Sequence, residues 1–91
     1  MTSSAITIFI PTQLRSYTGG ATKVEAAGAT VDEALTALDA RYTGLRFRVV
    51  DEQGRIRRHM RIFVDGERVL EVGAKVGAKG EVHIFGALSG G

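Results

Sequence analysis

The residues best suited to do chemistry in this chain are its last two, Gly90 and Gly91. They follow closely on a run that reads as a buried strand, so an α-carboxylate is expected on a thin tether without side chains. Glycine reaches φ/ψ regions closed to residues that carry a Cβ. A diglycine can therefore pass through a narrow channel into another protein's active site. A carboxylate is a poor electrophile and must first be converted to an activated acyl derivative. That intermediate survives only where water is kept out, which a narrow channel provides. Any side chain at Gly91 would crowd the tetrahedral centre formed on nucleophilic attack. The reactive group expected from the sequence is thus the carboxylate of Gly91, with Leu88, Ser89 and Gly90 threaded into the partner.

Other chemistry is hard to place. There are no cysteines, which removes disulfides, thiolate metal sites and a nucleophilic thiol. His59 and His83 lack acidic neighbours at ligand spacing and read as sheet-surface histidines, so no metal site is expected. No acid–base pair stands out. No catalytic residue is assigned, and the chain is expected to be a cosubstrate of enzymes, not an enzyme. Gly19-Gly20 reads as a loop turn, because no helix start with Lys-Ser/Thr follows to make a phosphate cradle. A diglycine alone would equally fit a frayed end. Its weight comes from the elements that precede it.

At 91 residues the chain fits one domain, expected over residues 1–87, with residues 88–91 as a tail. A domain of this size buries roughly 60–68% of its unfolded surface, enough for one modest core and too little for an enclosed active site. The net charge of +2 hides a block of seven arginines (Arg41, Arg46, Arg48, Arg55, Arg57, Arg58, Arg61) set against only Asp51 and Glu52. The block reads mainly as a solvated loop face; attraction of an acidic partner or a nucleotide is the alternative. Interleaved aromatics and a larger basic excess are missing, so no nucleic acid is expected. Met1-Thr2-Ser3-Ser4 lacks a basic n-region, and no apolar run approaches the ~20 residues of a membrane span. A cytoplasmic protein, monomeric when free, is expected.

The elements follow from periodicity. Ile6, Ile8 and Ile10 alternate with Thr7 and Phe9 and are bounded by Pro11, which predicts a strand. Residues 13–18 read as a turn region closed by Gly19-Gly20, and residues 22–26 as the returning strand, with Gly28 ending it. Thr30 through Glu33 fits a capping box. Val31, Ala34, Leu35, Leu38 and Tyr42 then form one helical stripe, with Gly44 as its C′ residue. Residues 45–50 are ambiguous between a helical turn and an extended connection, and 51–54 form a turn. Residues 58–64 alternate again, Asp65-Gly66 signals a hairpin, and 67–70 return. A glycine-rich loop over 73–80 leads to a last strand over 81–85. The order β-β-α-β-β-β is α+β, one main helix covering one face of a mixed sheet of four to five strands.

Parity then supplies a second candidate site. If the isoleucines, Met60, Val64 and Val82 face the helix, Phe9, Phe63, His83 and Phe85 face away. An exposed patch of three phenylalanines marks an interface, unless a loop covers it or a bulge shifts the parity.

Three stretches carry a family resemblance. They are Ile10-Pro11-Thr12-Gln13-Leu14-Arg15 with Thr18-Gly19-Gly20; Thr30-Val31 through Leu35, Leu38 and Tyr42 to Gly44-Leu45; and Phe63-Val64-Asp65-Gly66-Glu67 with Gly80-Glu81-Val82 and the final Ala87-Leu88-Ser89-Gly90-Gly91. Nearly the whole chain resembles the ubiquitin-like β-grasp sulfur carriers of the ThiS/MoaD type, and most closely their CysO-like branch. The departures are Gly86 where the family often has proline, Ser89 where it often has alanine, and a short loop over 71–79 rich in glycine and lysine. That loop is expected to border the docking surface.

The resemblance implies that an E1-like, ATP-dependent enzyme adenylates Gly91 and that a sulfur source converts it to a thiocarboxylate. The carrier itself binds no cofactor; ATP and the sulfur source are used by the activating enzyme. A second enzyme takes the sulfur, for cysteine or a specialised metabolite, and a metalloprotease that regenerates the tail is a further implied partner. A molybdopterin synthase small subunit is the alternative within the family. A protein modifier forming isopeptide bonds through Gly91 and a non-covalent binding module are the alternatives outside it.

Overall fold

The computed structural model of the protein describes residues 5–77 and 79–86. Ile6 and Ile8 are wholly buried in β1 (Ala5–Phe9), and Ala5, Thr7 and Phe9, which alternate with them, are half-buried. Pro11 has no N–H to donate and stops the strand. The next segment departs from expectation. Thr12–Thr18 is a 3-10 helix rather than a turn, and it places Leu14 in the core. The Thr18 hydroxyl lies 3.2 Å from the Arg15 carbonyl and 3.0 Å from that of Ala21. This buried polar side chain is thereby satisfied.

β2 (Lys23–Ala27) returns antiparallel to β1. Gly28 then lets α1 (Val31–Arg41) start close by, since a Cβ there would lie 2.9 Å from the Ala34 nitrogen. The N–H groups of the first helical turn, which have no partner within the helix, all find acceptors. Val31 and Asp32 donate to the carbonyls of Ala74 and Val72 at 3.0 and 2.9 Å. Glu33 donates to Thr30 Oγ1 at 3.1 Å, and Ala34 to the Thr30 carbonyl at 3.0 Å. The Glu33 carboxylate reaches back one residue further than expected, accepting from the Ala29 amide at 2.7 Å. Replacing the cap, Thr30→Ala, is expected to cost about 1 kcal/mol of stability, measured by urea unfolding.

These bonds also bear on the loop over 71–79, which was expected to border the docking surface. Its residues 72–76 pack on the start of α1, with Val76 buried and its N–H on the Ala29 carbonyl at 2.9 Å.

The ambiguous stretch after α1 is helical. α2 (Leu45–Val49) buries Leu45 and Val49, and Gly44 is its N-cap rather than the C′ residue of α1. The Asp39 carboxylate of α1 accepts from the amides of Gly44 and Arg46, at 3.0 and 3.2 Å. Arg46 in turn pairs with Asp32 at 2.6 Å. The next turn is held by Asp51, whose carboxylate accepts from the amides of Arg55 and Gln53 at 3.0 and 2.9 Å. The Arg55 bond foremost holds the Asp51 carboxyl below its usual range.

β3 (Met60–Val64) and β4 (Glu67–Val69) are joined by Asp65-Gly66, both at positive φ (49° and 89°), the tight turn that matches strand twist. β5 (Glu81–Gly86) completes a five-stranded sheet in the order β2-β1-β5-β3-β4. β1 and β5 are parallel and the other pairs antiparallel, so the sheet is mixed. Val31, Leu35 and Leu38 of α1, Leu45 and Val49 of α2, and the inward residues of the strands form one core.

Candidate functional site

The opposite face of the sheet carries the aromatic residues. Strand parity puts Phe9, Phe63, His83 and Phe85 there, and the register aligns three of them in one row across the sheet. Phe9 of β1 is level with His83 of β5, and His83 is level with Phe63 of β3. The Phe9 and His83 rings are stacked, with centroids 4.1 Å apart and planes 2° from parallel. Phe85, two residues along β5, lies 6.1 Å from His83 and meets Phe63 edge-on at 5.5 Å. Edge-to-face and offset stacking are the favourable arrangements for such rings. Phe85 remains 52% exposed, and the other three are half-buried by one another. The four residues thus form one continuous patch.

The patch runs to the root of the tail. Phe85 precedes Gly86, where β5 ends. Beside it lies an open groove of about 480 Å³, lined by Phe9, Pro11, Gln13, Arg15, Phe85 and Gly86 among others. The Gln13 amide fills the space that a side chain at position 86 would need. Arg15 is braced across the groove's wall by its Nε, which donates to the Ile10 carbonyl at 3.0 Å. The tail residues Leu88, Ser89, Gly90 and Gly91 lie outside the described residues.

The remaining candidates separate from this face. His59 lines a different hollow with Phe47, Arg48 and Arg57. Among the described residues, no three His, Cys, Asp or Glu side chains gather as a metal site would require. Among them also, no helix is long and apolar enough to cross a membrane. The arginine block disperses into the scaffold. Arg41 donates to the Glu25 carbonyl at 2.6 Å, Arg46 pairs with Asp32, and Arg57 donates to the Phe47 carbonyl and lies 4.5 Å over its ring. Arg61 differs, being level with Phe85 on the aromatic face.

Two further residues of this face could not be placed from sequence. Lys23 of β2 is level with Phe9, and Arg68 of β4 is level with Phe63. Both come from outside the arginine block and join the row only through strand register.

The ThiS family profile matches residues 8–91. The sulfur carrier protein CysO of Mycobacterium tuberculosis is 37% identical over 91 residues, spanning 94% of this chain and 98% of that protein. Among solved structures, a CysO from the Amycolatopsis orientalis BexX/CysO complex superposes with a TM-score of 0.87 at 36% identity, covering 94% of this chain and 99% of that one. Crystalline CysO from Mycobacterium tuberculosis gives a TM-score of 0.85 at 32% identity, covering 91% and 99%. These likenesses, over nearly the full length of each chain, carry the ubiquitin-like β-grasp assignment of the fold.

Proposed function

The chain belongs to the ThiS family, and we propose that its reactive group is the α-carboxylate of Gly91. It is a sulfur carrier, a small protein substrate and donor rather than an enzyme. The observation that carries the proposal is that the family match covers residues 8–91 and so includes the Gly90-Gly91 pair. The aromatic face ending at the tail root supports it, because the enzyme that holds the tail must also hold the domain.

Activation proceeds in two steps in a partner's site. An oxygen of the Gly91 carboxylate attacks the α-phosphorus of ATP, and pyrophosphate leaves. Hydrosulfide then adds to the carbonyl carbon of the acyl adenylate, and AMP leaves, giving the thiocarboxylate. With a persulfide as donor, an acyl disulfide forms first and a thiol cleaves it. The first enzyme is E1-like and uses ATP and the sulfur source; a second, in cysteine or specialised-metabolite synthesis, accepts the sulfur in the cytoplasm. The relative seen as a BexX/CysO complex supports the expectation that partners dock on the folded carrier. Phe9, Phe63, His83 and Phe85 are the docking surface, and Leu88, Ser89 and Gly90 are the segment that enters the partner.

These steps require no catalytic acid or base from the carrier. Its part is to present the carboxylate and be recognised, and a tail without Cβ atoms at its end can enter a site closed to water. Intact-mass measurement on protein isolated from its native cell tests the reading. An oxygen-for-sulfur mass increase, localised to Gly91 by fragmentation, is expected. A Gly91 found only in amide linkage to a lysine of another protein would overturn it in favour of a modifier.

A further inference from the structure

The charges on the aromatic face are sorted along the strands. The row Phe9–His83–Phe63 ends in a cation on each side, Lys23 on β2 and Arg68 on β4. Toward the tail root, the next level holds Phe85 and Arg61. Away from the tail, the next level holds Glu25, Thr7 and Glu81. Beyond β5 on that side, Asp65 accepts from the Glu81 amide at 2.9 Å. Successive levels on one face are about 7 Å apart, two residues along a strand. Arg41, beyond the β2 edge, shares a hollow with Thr7 and Glu25; on the strands themselves the face is basic around the aromatic row and at the tail end, and acidic at the far end.

Lys23, Arg61 and Arg68 make no ion pair among the described residues. Arg61 is held in place by donating to the Arg58 carbonyl at 2.7 Å and to that of Met60 at 3.1 Å. Its charge stays uncompensated while its position is fixed. A partner that covers the aromatic row must bring its own groups against these three cations. Like charges there would cost affinity, while carboxylates would both attract and orient.

We propose that the enzyme surface recognising this carrier is an apolar strip with carboxylates around the mouth of its tail channel and basic residues at the opposite end. The proposal rests on the reading of this face as the docking surface. It adds the partner's chemistry and the direction of docking. An apolar strip alone could accept the carrier in two orientations related by a half-turn, and only one points the tail into the channel. Reversed docking would set Arg61 against bases and Glu81 against carboxylates, so the charge order selects the productive orientation before the tail is engaged.

The test uses the full chain and, as probe, the E1-like adenylating enzyme of the same organism, followed by ATP–pyrophosphate exchange. The double variant Arg61→Glu, Arg68→Glu is compared with Lys75→Glu, which changes charge in the segment packed on α1. The double variant is expected to lower kcat/KM on the order of 10- to 100-fold at low salt, with the difference shrinking as salt screens it. Lys75→Glu is expected to change it less than about 3-fold. Circular dichroism melts confirm that the variants fold. Equal exchange by wild type and double variant, or faster exchange by the double variant, overturns the proposal while leaving Gly91 as the reactive group. Exchange retained after deletion of Gly90-Gly91 would instead overturn the function reading. Sedimentation showing a stable dimer that the double variant breaks would place a second copy on the face and overturn the proposal as well.

Discussion

Deletion of Gly90 and Gly91 is expected to abolish sulfur loading completely and to leave the melting temperature unchanged. The two halves of this result have different causes. Loading is lost because the new terminal carboxylate, on Ser89, falls short by two residues, about 7 Å of extended chain. Displacement of a reacting atom by even ~1 Å can cost about 100-fold, so a gap of several ångströms leaves no measurable adenylation. Ser89 also brings a Cβ to a position where the channel has been passing a bare backbone. Stability is kept because the buried apolar residues of the described chain run from Ile6 to Ile84, and the last strand ends at Gly86. Pyrophosphate exchange and intact mass read the first half, and a thermal melt reads the second. A truncated protein that still accepts sulfur would move the reactive group away from Gly91. A truncated protein that loads poorly but also melts early would mean that the tail belongs to the fold.

The contrast between local and non-local information explains what could be read from the chain beforehand. The isoleucines of β1 alternate within five residues, the Thr30 cap acts over three, and Asp65-Gly66 encodes its turn in two. Each signal is complete in its own neighbourhood, so each element was legible. α2 was not, because a five-residue helix rich in arginine carries too little periodicity, and the carboxylate that caps its start comes from Asp39 in the preceding helix. The 3-10 helix over Thr12–Thr18 was missed for a related reason: its order depends on Leu14 reaching the core and on Thr18 meeting two carbonyls. The loop over 71–80 has glycines that suggest freedom, yet its carbonyls satisfy the first amides of α1.

The candidate site divides in the same way. Parity within each strand was enough to send Phe9, Phe63, His83 and Phe85 to one face. The cations that flank them required the register of all five strands. Counting arginines along the sequence singled out residues 41–61, read mainly as a solvated loop face with attraction of a partner as the alternative, and several of them are tied into the scaffold. The charge that borders the aromatic row comes from Lys23 and Arg68, 45 positions apart in the numbering, together with Arg61. A charge run measures proximity along the chain, whereas a partner meets proximity across the sheet.

Phe63→Lys is expected to reduce kcat/KM for adenylation by roughly 100-fold while the protein still folds. Phe63 is part of the row, level with His83, and meets Phe85, one level nearer the tail, edge-on. Large aromatic residues near the middle of an interface are where binding energy concentrates, commonly ~2–4 kcal/mol for one side chain, and 1.4 kcal/mol is tenfold. Lysine is the informative replacement because it keeps the face basic. A fall in activity then reports the lost apolar contact and not a reversed charge. Folding should survive because Phe63 is only half-buried. Losing one ring–ring contact and setting a cation opposite Arg68 should together cost about 1–2 kcal/mol. Ile62→Ala, one residue away but wholly buried, should cost ~2–5 kcal/mol and serves as the comparison for damage to the core. If the contact is used to hold the carrier and not to stabilise the transition state, the loss appears as a raised KM at unchanged kcat. An unchanged kcat/KM in a folded Phe63→Lys variant would remove the β3 side of the aromatic face from recognition and leave the groove lined by Phe9, Gln13, Arg15 and Phe85 as the surface next to the tail on which a partner could act.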